Sequence, residues 1–204
     1  LDYQNLGASA TLTSDGDGGA DRLVVRGTDE DDTFSVAATT GAVGLSNASG
    51  TRIALSQIDM ESLVLEGLDG DDTFNVSGAH PYASGITVDG GDPSASDVLF
   101  LTGATGVGES VWIMPHGTDP TQQVISGLGG MINASGVELI TYTGLENNDG
   151  LFVNPGYGNH TVRVDNGPVA GVDRVTSDTL PEIQFRASSL FQVYQPTVGD
   201  GSPV

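Results

Sequence analysis

The sequence predicts an all-β chain of short stacked strands, and three observations carry that expectation. Thirty glycines in 204 residues interrupt any 3.6-residue periodicity, so no stretch reads as a helix. Short runs rich in Val, Ile, Leu and Phe alternate in polarity and close on Gly, Asp, Asn or Pro. The chain also resembles itself. "MESLVLEGLDGDD" (60–72) aligns with "VELITYTGLENND" (137–149), and "GITVDGGDPSASDV" (85–98) with "HTVRVDNGPVAGVDRV" (160–175), at an offset of about 76 residues.

Taken in order, "DRLVVRG", "DTFSV", "SLVLEG", "DTFNV", "GITVDGG", "ELITY" and "HTVRVDNG" are the clearest strands. Strand centres fall into two interleaved series. One runs through Leu12, Phe34, Leu63, Ile86, Val111, Ile140, Val162 and Phe185; the other through Leu23, Ile53, Phe74, Val98, Val124, Phe152 and Val175. Steps within a series are about 25 residues, and three of them make one 76-residue unit. That arithmetic suits a repeat-built β-solenoid, like a parallel β-helix, with one strand of each rung on each of two faces. About eight rungs at roughly 4.8 Å would stack to roughly 40 Å. Inward residues would be Leu23 and Val25, Phe34 and Val36, Leu63 and Leu65, Phe74 and Val76. The competing architecture is a pair of antiparallel β-sandwich domains, which also space strands and turns at 8–12 residues. Residues 1–176 read as the repeat domain, with about two and a half units. Residues 177–204 lose the pattern and read as a terminal cap or linker.

Charge narrows the function. Twenty-seven acids face six bases, all arginine (Arg22, Arg26, Arg52, Arg163, Arg174, Arg186), for a formal charge of −21. Without a basic patch, neither phosphate backbones nor anionic membrane surfaces are suitable partners. There is no 18-residue apolar run, so no membrane-inserted helix is expected. Cysteine and lysine are absent, which excludes disulfides, thiolate chemistry and lysine isopeptide cross-links. The chain starts and stops abruptly and reads as a mature or excised piece of something longer.

The acids gather in turns. "GTDEDDTFSV" (27–36) and "GLDGDDTFNV" (67–76) each put three aspartates beside a strand. In the solenoid reading, turns 15–21, 66–72, 89–97, 144–150 and 165–173 share one edge, and only 27–32 lies opposite. Carboxylates about 4.8 Å apart repel by roughly 1 kcal/mol per pair even in water. A hard cation with six to eight oxygen ligands would offset that, and calcium fits best. The candidate ligands are Asp15, Asp17 and Asp21; Asp69, Asp71 and Asp72; Asp89, Asp92 and Asp97; and Asp165 with Asp173. The turn "GLENNDGLF" keeps Glu146, Asn148 and Asp149 and is weaker. "DGDGG" (15–19) is not an EF-hand loop, because its twelfth position is Arg26 rather than glutamate.

"GLDGDDTF" and "DGDGGADRL" resemble relaxed versions of the calcium-binding repeats of RTX (haemolysin-type) exported proteins. The nine-residue tandem period of those repeats is missing here. The resemblance implies secretion, calcium-assisted folding and a β-roll-like core. In style, "TVDGGDPSASD" and "ITYTGLE" are also similar to repeats of very large exported bacterial proteins with surface or matrix roles.

Other readings compete. Aspartate in Asp-Gly turns commonly caps the turn with its own side chain and no metal, as expected for Asp32, Asp72 and Asp97 just ahead of strands. A polysaccharide-degrading β-helix needs two carboxylates in a cleft. Acids are too plentiful here to pick a pair, and the adjacencies Arg22–Asp21 and Arg174–Asp173 read as ion pairs. A glycan-binding module could stack sugars on Trp112, Tyr82, Tyr142, Tyr157 or Tyr194, although Trp112 in "SVWIMP" reads as core. His80 and His116 sit in proline-rich loops that read as exposed. The overall expectation is a non-catalytic structural or adhesive repeat module of an extracellular or cell-surface bacterial protein, stabilised by calcium. Its partners would be neighbouring domains, other copies or cell-surface glycan.

Overall fold

A computed structural model describes residues 12–92, 96–186 and 189–194. These residues form eighteen strands and no helix. In chain order they are β1 (Leu12–Asp15), β2 (Arg22–Arg26), β3 (Asp32–Val36), β4 (Val43–Asn47), β5 (Gly50–Ile58), β6 (Ser62–Leu68), β7 (Thr73–Ser77), β8 (Gly85–Gly91) and β9 (Val98–Thr102). The remainder are β10 (Ser110–Pro115), β11 (Gln123–Leu128), β12 (Gly130–Ser135), β13 (Leu139–Thr143), β14 (Gly150–Val153), β15 (Val162–Asn166), β16 (Asp173–Ser177), β17 (Glu182–Arg186) and β18 (Leu190–Val193).

The strands make two mixed sheets. A ten-stranded sheet runs β1-β5-β4-β3-β7-β9-β13-β17-β16-β15, and an eight-stranded sheet runs β18-β14-β10-β11-β12-β8-β6-β2. Between β2 and β18 the chain passes repeatedly from one sheet to the other. Parallel neighbours therefore pair in register: Leu23 with Leu63, Phe34 with Phe74, Phe74 with Leu99, Val111 with Leu151.

The steps between stacked neighbours are of two lengths. Backbone–carboxylate bonds between equivalent connections span 25 residues in one case and 40 or 41 in the others. The longer steps take in antiparallel meanders laid into the same sheet: β3-β4-β5, β10-β11-β12 and β15-β16-β17. The uniform 25-residue series must be corrected accordingly. Leu12 and Phe34 lie in the ten-stranded sheet, whereas Leu63, Ile86 and Val111 lie in the other. A meander strand has the same period-2 pattern as a crossing strand, so polarity alone could not separate them.

Inward positions from both sheets feed one core cluster. Leu23, Val25, Phe34, Val36, Leu63, Leu65, Phe74 and Val76 are all buried, as the alternation requires. Phe34 and Phe74 stack across strands with centroids 4.9 Å apart and planes 12° apart. The last two strands join both sheets: β17 sits between β13 and β16 inside the ten-stranded sheet, and β18 pairs with β14 at the edge of the other.

Candidate functional site

The connections hold the acids, and parallel pairing brings equivalent connections together. Five run from the eight-stranded sheet to the ten-stranded sheet, and four of these are stacked neighbours: β2 to β3, β6 to β7, β8 to β9 and β12 to β13; the fifth joins β14 to β15. Turn 27–32 therefore belongs with 66–72 and 89–97, against the expectation that it stands apart. Turn 144–150 joins β13 to β14 in the reverse sense, beside 103–109. Turn 165–173 is a hairpin within the ten-stranded sheet, and 15–21 leads from β1 to β2.

Along the four shared connections the carboxylates form a ladder. The Asp32 amide donates to Asp72 Oδ1 at 2.7 Å, the Asp72 amide to Asp97 Oδ1 at 2.7 Å, and the Asp97 amide to Glu138 Oε2 at 2.8 Å. Asp32 Oδ2 also takes the Thr28 amide and hydroxyl at 2.6 and 2.8 Å. Asp32, Asp72 and Asp97 are at most 1% exposed. Asp72, Asp97 and Glu138 thus each satisfy a backbone amide of the neighbouring connection, while Asp32 caps its own connection through Thr28.

Glycine makes room for this arrangement. A β-carbon on Gly67 would collide with Asp72 Oδ2 and the Gly90 carbonyl oxygen, and one on Gly90 with Asp97 Oδ2 and the Gly136 carbonyl. The legible signal is a glycine five residues ahead of the last aspartate in both "GTDEDD" and "GLDGDD". One oxygen on each acid, Asp32 Oδ1, Asp72 Oδ2 and Asp97 Oδ2, is buried with no hydrogen-bond partner. Burial, with Asp97, Asp32 and Asp31 nearby, pushes the Asp72 carboxyl up to about 6. Burial, with Glu138, Asp71 and Asp89 nearby, does the same to Asp97, again to about 6.

An exposed row runs outside the ladder. The Asp71 amide donates to Asp31 Oδ1 at 2.9 Å, and the Ser96 amide to Asp71 Oδ1 at 3.0 Å. Asp69 and Asp92 are exposed, and Asp89 Oδ1 accepts the Ser135 hydroxyl at 3.1 Å. A second buried pair lies on the reverse connections. The Glu109 amide donates to Asp149 Oδ1 at 3.0 Å, while Glu109 Oε1 takes the Ala104 amide at 3.0 Å. At the first connection Asp17 donates its amide to Asp15 Oδ1 at 3.1 Å, a local turn cap, and the Asp21 amide goes to Glu61 Oε2 at 2.6 Å.

Asp165 is held by arginine. Arg174 grips both its oxygens at 2.8 and 3.1 Å, and Arg163 Nε lies 2.8 Å from Oδ2. These bonds hold the Asp165 carboxyl below its usual range. Asp173, the expected co-ligand, is exposed opposite Asn166, so the ion pair is Arg174 with Asp165 rather than with its sequence neighbour. Among the described residues, no group of three or more acids and histidines is disposed to hold a metal ion.

The structure also relocates other candidates. Reading residues singly missed Asp32, Glu61, Glu109 and Glu138 as partners of the acids. His80 is buried rather than exposed, and burial lowers its pKa. Tyr82 and Tyr142 are fully buried, out of reach of a sugar, whereas Trp112 faces outward between buried Val111 and Ile113. Comparison of the chain with protein-family models, curated proteins and solved structures finds no match.

Proposed function

We propose that the chain is a non-catalytic structural or adhesive module, a β-solenoid interrupted by antiparallel meanders, from an extracellular or cell-surface bacterial protein. The repeat region spans 1–176, with 177–204 closing the stack or leading onward. The buried carboxylate ladder carries this reading: acids that would otherwise suggest chemistry are engaged as acceptors joining successive connections. Such a stack is rigid along its axis and presents two broad faces, which suits a spacer or display element.

Calcium stabilisation belongs to the same proposal, as counter-ions held loosely along the exposed row of Asp31, Asp69, Asp71, Asp89 and Asp92 rather than in a preformed cage. Its support is the charge of −21 and the proximity of carboxylates from adjacent connections. Thermal unfolding in excess EGTA, in millimolar calcium and in millimolar magnesium at fixed ionic strength tests it. A calcium-specific rise of roughly ten degrees is expected, a shift of a few kcal/mol for a chain this size. Equal curves in all three would remove calcium and leave the ladder as a self-contained capping system. Release of sugar fragments from any neutral or acidic polysaccharide would overturn the non-catalytic assignment.

A further inference from the structure

We infer that the outer face of the eight-stranded sheet, at Trp112, binds a neutral saccharide. Charge distribution is the first ground. Strands β10, β11, β12, β14 and β18 contain no Asp, Glu, Arg, Lys or His, in a chain with 27 acids. This uncharged patch of five adjacent strands, bordered by Asp89 on β8 and by acidic connections, favours an uncharged partner and repels polyanions.

Ring geometry is the second ground. Trp112 stacks on Phe152 of the neighbouring strand, centroids 4.6 Å apart and planes 12° apart, and Tyr194 meets it edge-on at 6.3 Å and 74°. Two aromatic neighbours thus fix the indole in one orientation before any ligand arrives, which lowers the entropy cost of binding.

The third ground is the open side of that indole. Its neighbour on β11 is Ser126, directly opposite in the antiparallel pair. Gly127 follows at a bulge with φ of 104°, close against the Ser110 carbonyl, where no larger residue fits. The floor beside the ring is therefore low. Beyond it stands Met131 on β12, 54% exposed. Two strand spacings of about 4.8 Å separate Trp112 from β12, leaving a slot about one sugar ring wide. The apolar C–H face of a pyranose would lie on the indole, and the Ser126 hydroxyl and Asn133 amide would meet its hydroxyls.

Trp112 is the single tryptophan of the chain, so its emission reports on this slot alone. The test titrates the wild-type chain, in EGTA to keep calcium out of the readout, with cello-, laminari-, manno-, malto- and xylohexaose, and with an alginate hexamer. The expected result is a saturable emission change with at least one neutral hexaose and none with alginate. Ser126→Phe, which fills the slot but keeps the indole, should weaken binding at least tenfold, and Trp112→Ala should abolish it by calorimetry. Both positions are on the solvent side of their strands, and circular dichroism checks that each variant is folded. The inference is overturned by a flat response to every neutral hexaose, by alginate binding as well as the best of them, or by a Ser126→Phe variant of unchanged affinity. It is equally overturned if the emission change tracks protein concentration with dimer formation, which would assign the face to a second copy.

Discussion

Asp72 illustrates what a buried carboxylate does in this chain. Its Oδ1 accepts the Asp32 amide, and its Oδ2 faces a glycine with no donor. Asp72→Ala should strand the Asp32 amide in a buried place and cost about 1–3 kcal/mol. At about 2–4 °C per kcal/mol, the melting temperature should fall by roughly 5 °C at pH 7.5. Asp72→Asn keeps the acceptor and removes the charge, so it should melt at or above the wild-type temperature. An asparagine variant as damaged as the alanine one would show that the charge itself is required. The same residues set the pH response. With folded values near 6 against an ordinary 3.8, Asp72 and Asp97 favour the folded state when protonated. That contribution is complete below about pH 4 and is lost as pH rises through 6. Melting temperature should therefore be higher at pH 5 than at pH 7.5, with the gap reduced in Asp72→Asn/Asp97→Asn. A higher melting temperature at pH 7.5 than at pH 5 would refute the raised values.

At the scale of elements, connections pack as closely as strands do. The turn carrying Gly67 lies against the one carrying Gly90, so the backbone of each must stay bare on that side. Gly67→Ala should cost about 1–3 kcal/mol, the usual range for forcing atoms into a filled space. Gly117→Ala, where nothing lies within 4 Å of the added carbon, should fall within about 0.5 kcal/mol of wild type in urea unfolding. Equal costs at the two positions would mean that glycine acts through backbone entropy rather than room. The meanders explain why the connections meet where they do. Each adds two strands to one sheet, and the crossing strands on either side remain parallel and in register.

Across the whole molecule, acids concentrate in the connections, while the strands of the C-terminal half of the eight-stranded sheet carry none. Exposed rows such as Asp31 and Asp71 repel through water and are screened within about 10 Å at 0.1 M salt. The buried ladder is screened much less. Raising sodium chloride from 20 to about 500 mM at pH 7.5 should therefore raise the melting temperature by a few degrees and leave the pH 5 advantage in place. Salt that abolished the pH effect would place the titrating groups on the surface instead.

The sequence by itself determined the all-β class, the inward residues and the grouping of acids at turns. Period-2 alternation names the buried face of a strand, as Phe34 and Val36 or Leu63 and Leu65 do, whatever its neighbours are. It does not name those neighbours. Tertiary structure alone decided that Asp32 joins Asp72 and Asp97, that Asp165 pairs with Arg174, and that Trp112 faces outward. The physical reason is that a strand's partner depends on where the chain crosses between sheets. Meanders move that crossing without changing the local pattern, so contacts made across 25 or 40 residues exist only once both sheets have formed.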